Sequence, residues 1–257
     1  MVSAARLSLE AVPGIGLVGA GDDVARLILD AVAANQQVLQ SGDVLVVAQK
    51  IVSKAEGRVV ELESVEPGAA ARALAAEVDK DARLVELILR ESRRVVRKRP
   101  GVLIVEHNLG FVMANAGIDQ SNATPEGASP RAILLPEAPD RSAAAIREKI
   151  GAASGAAVGV VISDSFGRAW RRGTAGVAIG AAGVPTVRDL RGQPDLHGRV
   201  LEVSITGFAD EVAAAASLVM GQGAEGLPVV IVRGLDLDAP HQTAADIVRP
   251  AEEDLFR

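Results

Sequence analysis

Apolar residues fall into two patterns along this chain: short unbroken runs, and longer stretches repeating near the helical period. Runs rich in Val, Ile and Leu at 7–12, 44–48, 102–105, 111–114, 133–135, 158–162, 200–205 and 229–232 predict β-strands. Those ending just before Gln49 and Ser163 predict buried strands. Helical spacing appears over 24–34, 69–78, 83–93, 143–153 and 209–220, and in the first of these Val24, Leu27, Ile28 and Ala31 share a face. Asp22 or Asp23 suits the N-cap of the first helix, and Asp140 with Ser142 the start of the fourth. Strands and helices do not alternate as a doubly wound sheet requires, so the pattern predicts an α+β fold of mixed sheets with flanking helices. Residues 120–130 form the most linker-like segment, one that borders a site rather than separating domains.

At 257 residues the chain suits one large domain, or two intimately joined lobes, on a prior of about 150 residues per domain. Hydrophobic residues make up 49% but aromatics only 2%, so the core must be aliphatic and alanine-rich. A net charge of −6 argues against nucleic acid or an anionic membrane as partner. Arg93, Arg94, Arg97, Lys98 and Arg99 are a local exception, expected at the C-terminal end of the third helix, where the dipole favours cations. Cysteine is absent, which removes disulfides, thiolate metal sites and cysteine nucleophiles. With no leader-like N-terminus and no apolar run near the ~18 residues of a spanning helix, the expectation is a soluble, cytoplasmic protein.

Chemistry concentrates in two strand-end segments. Asn115-Ala-Gly-Ile-Asp-Gln-Ser-Asn122 packs amides, a glycine, a carboxylate and a hydroxyl into one turn, more than turn geometry needs. Ser163-Asp-Ser-Phe-Gly-Arg-Ala-Trp-Arg-Arg172 closes the second buried run. Either alone reads equally well as an ordinary polar turn. Together they offer Asp119, Asp164 and the Ser165 hydroxyl, hard oxygen ligands suited to Mg²⁺ or Mn²⁺, and Gln222 could add an amide oxygen. Lys50 and Lys54, beside Gln49 and Ser53 at a strand end, suit a phosphate cradle or a solvated strand edge. Arg168, Arg171 and Arg172 flank Trp170, the only tryptophan, and could clamp an anion and stack on a ring, or simply pack together at the surface. Metal carboxylates, lysines and an anion clamp point to phosphoryl transfer, and the residue chemistry goes no further.

Several motifs are decoys. Gly14-Ile-Gly16-Leu-Val-Gly19 meets a helix only after Asp22 and Asp23, acids that would repel a pyrophosphate. Gly221-Gln-Gly223-Ala-Glu-Gly226 follows a helix and precedes a strand, the reverse of a dinucleotide fingerprint. There is no P-loop and no G-x-S-x-G elbow, and His107, His197 and His241 lack metal-ligand spacing. The fold is therefore expected to be neither Rossmann nor P-loop.

At these same residues the sequence resembles the coenzyme F420-0:gamma-glutamyl ligases, the CofE family, which also forms the N-terminal ligase domain of FbiB. The matching blocks are Gly21-Asp-Asp23, Gln49 to Arg58, Asn115 to Asn122, Ser163 to Arg171, Arg188-Asp-Leu-Arg-Gly192, Ala209-Asp-Glu211 leading to Leu218-Val-Met-Gly-Gln222, and Pro228 to Gly234. They occur in family order over nearly the whole chain. The chain ends soon after the last block, so it is expected to be a stand-alone ligase with a single CofE-like domain over 1–257. The resemblance implies an α+β fold, a homodimer, and a GTP-dependent enzyme adding L-glutamate to the carboxylate of coenzyme F420-0, then γ-linked glutamates, through an acyl phosphate with GDP released. It implies Asp119, Asp164 and Arg171 as catalytic, and Asp119, Asp164, Ser165 and Gln222 as ligands of two Mg²⁺ or Mn²⁺ ions, with K⁺ a further expected ion. Nucleotide contacts are implied for Ile15, Gly16, Leu17, Val18, Gln49, Lys50, Lys54 and Asn122. The loop Met220, Gly221, Gln222, Gly223, Ala224, Glu225, Gly226 and Leu227 is implied as well. Two positions depart from the family: Ser165 stands where Thr is usual, and Ala169 where Pro is usual, which loosens the loop before Trp170. Two rival functions remain, a two-metal phosphatase or amide hydrolase, and a non-catalytic nucleotide or deazaflavin binder.

Overall fold

Val44-Leu45-Val46-Val47 and Val229-Val230-Ile231-Val232 offer no polar face to water, and both lie inside a sheet covered on its two sides. The computed structural model describes residues 6–124 and 129–255, so part of the linker-like segment, 125–128, lies outside the described residues. In chain order the elements are β1 (Ser8–Ala11), α1 (Val24–Ala34), β2 (Val44–Ala48), α2 (Gln49–Ala55), β3 (Val59–Glu61), α3 (Ala69–Val78) and α4 (Ala82–Arg90). There follow β4 (Ser92–Arg99), β5 (Val102–His107), β6 (Val112–Ala114), β7 (Arg131–Ile133), α5 (Pro139–Ser154), β8 (Gly159–Gly167) and β9 (Thr174–Ala182). The chain closes with β10 (Arg188–Asp189), β11 (Ile205–Thr206), α6 (Phe208–Met220) and β12 (Val229–Arg233).

The main sheet has the order β1-β12-β2-β8-β9, with β2 and β8 parallel and the other neighbours antiparallel. Alternation along each strand splits its side chains between two cores. Leu45, Val47, Val160, Ile162 and Ile231 pack with Ile28 of α1 and Ile146 and Ile150 of α5. Val44, Val46, Val161, Val230 and Val232 pack with Phe208, Val212 and Ala216 of α6 on the opposite face. A further core, around Leu84, Ile88, Leu103, Val105 and Leu134, joins α3 and α4 to the three-stranded sheet β4-β5-β6. This is an α+β fold with mixed pairing, as the pattern predicts. Asp23 caps α1, accepting from the Ala25 and Arg26 N–H groups. α5 starts at Pro139, with Asp140 in its first turn.

What positions the site is the end of the parallel pair. Ala48 lies opposite Ser163; α2 starts at once after Ala48, whereas β8 runs four residues further, paired with β9 as far as Gly167 and Thr174. A register shift after Ile162 marks where this hairpin leaves the sheet. β9 is glycine-rich for a steric reason: a Cβ at Gly176 would meet the Ala213 carbonyl of α6, and one at Gly180 the backbone of Pro139.

Three expectations are corrected. The basic run is not a helix end: α4 stops at Arg90, and Ser92–Arg99 is a strand turned by Gly101 (φ +78°) onto β5. The β-branched Val95-Val96 pair suits a strand. The cations lean on acids, with Arg94 Nε 2.8 Å from Glu106 and Lys98 Nζ 2.6 Å from Glu77. Lys50 and Lys54 are not on a strand end but one turn apart on α2. The expected strand at 200–205 survives only as Ile205–Thr206, because 190–204 is an exposed arm without a core to bury it.

Candidate active site

The ends of β2 and β8, the hairpin base, α2 and the C-terminal end of α6 enclose a cavity of about 440 Å³. Of the residues singled out for a nucleotide, Ile15, Gly16, Leu17, Val18, Gln49, Lys50, Lys54, Asn122, Met220, Gly221, Gln222, Gly223, Glu225, Gly226 and Leu227 line it. Ala224 does not. Asp164 and Ser165 line it too, whereas Arg171 lies beyond it in the hairpin tip. A separate groove between α3 and β4, walled by Ala70, Leu74, Val96 and Lys98, holds none of these donors.

Each donor has a local reason for its place. After β6 the chain takes three consecutive left-handed residues, Asn115, Ala116 and Gly117 (φ +53°, +54° and +67°). A Cβ at Gly117 would press into Met113 and Leu135, so a glycine is required there on both counts. This tight reversal delivers Asp119 to a bridge with Ile133, closed by N–H···O bonds of 3.0 and 2.8 Å. Its carboxylate accepts from the Ser121 N–H at 2.6 Å and the Ser121 hydroxyl at 2.9 Å. Lys50 Nζ sits 2.7 Å from the same carboxylate and 2.7 Å from Ser121 Oγ. Lys54 Nζ donates to the Asn122 carbonyl at 2.9 Å. Helix α2 thus holds the 119–122 turn through both lysines.

The electrostatics are those of a site built around cations. Burial pushes the Asp119 carboxyl up, but Lys50 and the Ser121 donors outweigh it and hold it below the usual range. Asp164 is the opposite case: burial, reinforced by the neighbouring Asp119 charge, raises it to about 6 against the pull of the Ser165 N–H, Lys50 and the Gln49 amide. Gln49 is buried, its oxygen accepts from Ser53 Oγ at 2.8 Å, and its Nε2 has no partner within hydrogen-bond distance, so the amide favours the Asp164 carboxylate from longer range. Burial lowers Lys54, and the charge of Lys50 lowers it further.

Asp119, Asp164, Ser165 and Gln222 present only oxygen donors, which fits a hard divalent cation. No cluster of three or more His, Asp or Glu suited to a metal exists among the described residues. A cation here would complete its shell with water and phosphate oxygens, the usual habit of Mg²⁺. A carboxyl raised by burial and by an acidic neighbour gains from any cation placed beside it.

Sequence reasoning passed over Ser121, whose hydroxyl links Lys50 to Asp119, and Ser163, Gly176 and Ser217, which also line the cavity. Asp-x-Ser spacing, which favours an i to i+2 side-chain bond, is the signal for the first. Nothing local signals the other three.

The chain matches the family model described as F420-0:Gamma-glutamyl ligase over residues 14–234. It is 46% identical to the coenzyme F420:L-glutamate ligase of Methanopyrus kandleri, over 98% of both chains. Identity to the enzyme of the same name from Methanothermobacter thermautotrophicus is 45%, over 98% of this chain and 99% of the relative. For that from Archaeoglobus fulgidus it is 43%, over 98% and 97%.

Proposed function

This chain belongs to the F420-0:gamma-glutamyl ligase family of coenzyme F420 biosynthesis, and we propose that it joins L-glutamate to the carboxylate of coenzyme F420-0 at the expense of GTP. The observation that carries the reading is convergence: Asp164, two lysines and residues of the 15–18 and 220–227 loops, far apart in sequence, line one cavity, and Lys50 ties Asp119 to its edge at 2.7 Å.

In the proposed reaction an oxygen of the acceptor carboxylate attacks the γ-phosphorus of GTP, the bond to the β-phosphate oxygen breaks, and GDP leaves. The α-amino nitrogen of glutamate, as the free amine, then attacks the acyl carbonyl. The C–O bond to phosphate breaks, the amide forms, and the amine proton leaves on the phosphate. Further rounds add glutamates through γ-linkages. Asp119, Asp164, Ser165 and Gln222 would hold two Mg²⁺ or Mn²⁺ ions, with K⁺ a further ion, and these supply neutralisation of phosphate charge. Lys54 would pair with phosphate oxygens, Lys50 would add its charge from its place on Asp119, and the 220–227 loop would cover the nucleotide. Buried Gln49, whose oxygen accepts from Ser53, favours the charged form of Asp164. Little proton chemistry is needed, because positioning and charge stabilisation dominate phosphoryl transfer. A homodimer working in the cytoplasm completes the proposal; no helix among the described residues is long and apolar enough to cross a membrane.

The acyl phosphate has a specific isotopic signature. With both oxygens of the F420-0 carboxylate as ¹⁸O, one ¹⁸O is expected in the phosphate released by the first glutamylation, read by mass spectrometry. Unlabelled phosphate would rule that route out.

A further inference from the structure

The tip of the β8–β9 hairpin, residues 168–173, is poorly accounted for by folding alone. Trp170 is the only tryptophan of the chain, yet it is 91% exposed. Its φ is +64°, a left-handed conformation that bulky side chains rarely adopt and that proteins retain mainly where function uses it. Arg168, Arg171 and Arg172 share the tip. Arg168 donates to the Arg172 carbonyl at 3.0 Å, and none of the three has a carboxylate partner among the described residues. An aromatic face and unpaired guanidinium groups are thus held out to solvent on a strained turn, in a protein otherwise poor in aromatics.

The tip is also well placed. It is rooted at Gly167 and Thr174, two residues beyond Ser165 and Gly176, which line the cavity. At about 3.3 Å per residue the root stands roughly 7 Å past the Ser165–Asp164 wall. The 15–18 loop, α2, Asn122, the end of α6 and residues of the 220–228 segment line the other sides of the cavity, and the hairpin extends past it on the side of Ser165 and Gly176. We propose that the hairpin tip is the acceptor-binding subsite, with Trp170 stacking on the flat deazaflavin ring and Arg171 and Arg172 pairing with its anionic arm. This rests on the ligase reading, since that reading supplies an acceptor with a planar ring and an anionic arm.

The test uses the full chain, with Trp170 as its own fluorophore. Binding of F420-0, without GTP or glutamate, is followed by tryptophan emission and by protection of that emission from acrylamide; the variants are followed by equilibrium dialysis, and glutamylation is assayed on the same preparations. F420-0 is expected to shield Trp170, and GTP with Mg²⁺ is not. Trp170→Ala is expected to weaken F420-0 by about tenfold or more and to raise its KM alike, with the KM for GTP unchanged and Trp170→Phe close to wild type. Arg171→Ala with Arg172→Ala should weaken F420-0 while sparing the deazaflavin riboside that lacks the anionic arm. Trp170→Gly, which relieves the left-handed backbone, should weaken F420-0 without lowering the unfolding temperature; a merely structural tryptophan would lower it. If wild type glutamylates F420-0 while Trp170→Ala binds it normally, the subsite is wrong and the ligase reading stands. If F420-0 binds through Trp170 but is never glutamylated, the ligase reading falls and the subsite remains. Shielding of Trp170 by GTP, or by raising protein concentration alone, would overturn the subsite in favour of the nucleotide base or a second copy.

Discussion

Asp164→Asn is expected to abolish ligation, with a loss of at least about 10³-fold, while making the metal-free protein more stable at pH 8. Both effects come from one buried carboxyl. Raised to about 6 in the folded state, Asp164 holds its proton more tightly folded than unfolded. Its contribution to stability is therefore full below pH ~4, the unfolded value, and is lost as pH rises through about 6. At pH 8 in EDTA the wild type should be destabilised by at most about 3 kcal/mol relative to a neutral isostere, and a bound divalent cation should reverse the penalty. Urea unfolding of wild type and Asp164→Asn at pH 5 and pH 8, with and without Mn²⁺, reads this directly. A variant less stable than wild type at pH 8 in EDTA, or one that keeps its turnover, would refute the assignment.

Lys54→Met should lower kcat/KM for GTP by about 10²- to 10³-fold, the usual cost of a lost charge-stabilising donor in a catalytic site. Lys50→Met should cost less than about tenfold. The two lysines lie on one helix face but are differently engaged. Lys50 is held 2.7 Å from Asp119, so its charge is already paired. Lys54 is half-buried, touches only a carbonyl at 2.9 Å, and is lowered by burial and by Lys50. An unpaired cation facing a cavity has most to gain from an anionic ligand. Initial rates over a range of GTP concentrations distinguish the two, and equal losses, or a larger one at Lys50, would contradict this division.

The strands with most to bury were the most legible. Residues 44–48 and 229–232 are unbroken aliphatic runs suited to a doubly covered strand, and α1 and α3 begin and end where their spacing does. Thr174–Ala182 escaped notice because close approach by α5 and α6 forces Gly and Ala into it, the residues that β-propensity disfavours. Helix α2 escaped because Ile51 and Val52 prolong the look of the preceding strand. The basic strand β4 misled through charge: cations suited a helix end equally well, and only the pairing with β5 decides between them.

In the site, residue chemistry and family resemblance pointed to the donors, and the fold supplies their contacts. Lys50 and Ser121 are 71 residues apart, and nothing in either segment announces that they meet. The burial that raises Asp164 is likewise a property of the assembled hairpin and of α2, not of the Ser-Asp-Ser triplet.

In the proposed reaction this cavity couples GTP cleavage to amide formation on F420-0. Mass spectrometry of F420-0 incubated with the protein, GTP, L-glutamate and Mn²⁺, each omitted in turn, reads that coupling. The predicted result is a product heavier by one or more glutamyl units that requires every component, with GDP formed in step. Consumption of GTP with no glutamylated product would contradict the claim and point to a hydrolase or another acceptor, and no reaction at all would leave only a binder.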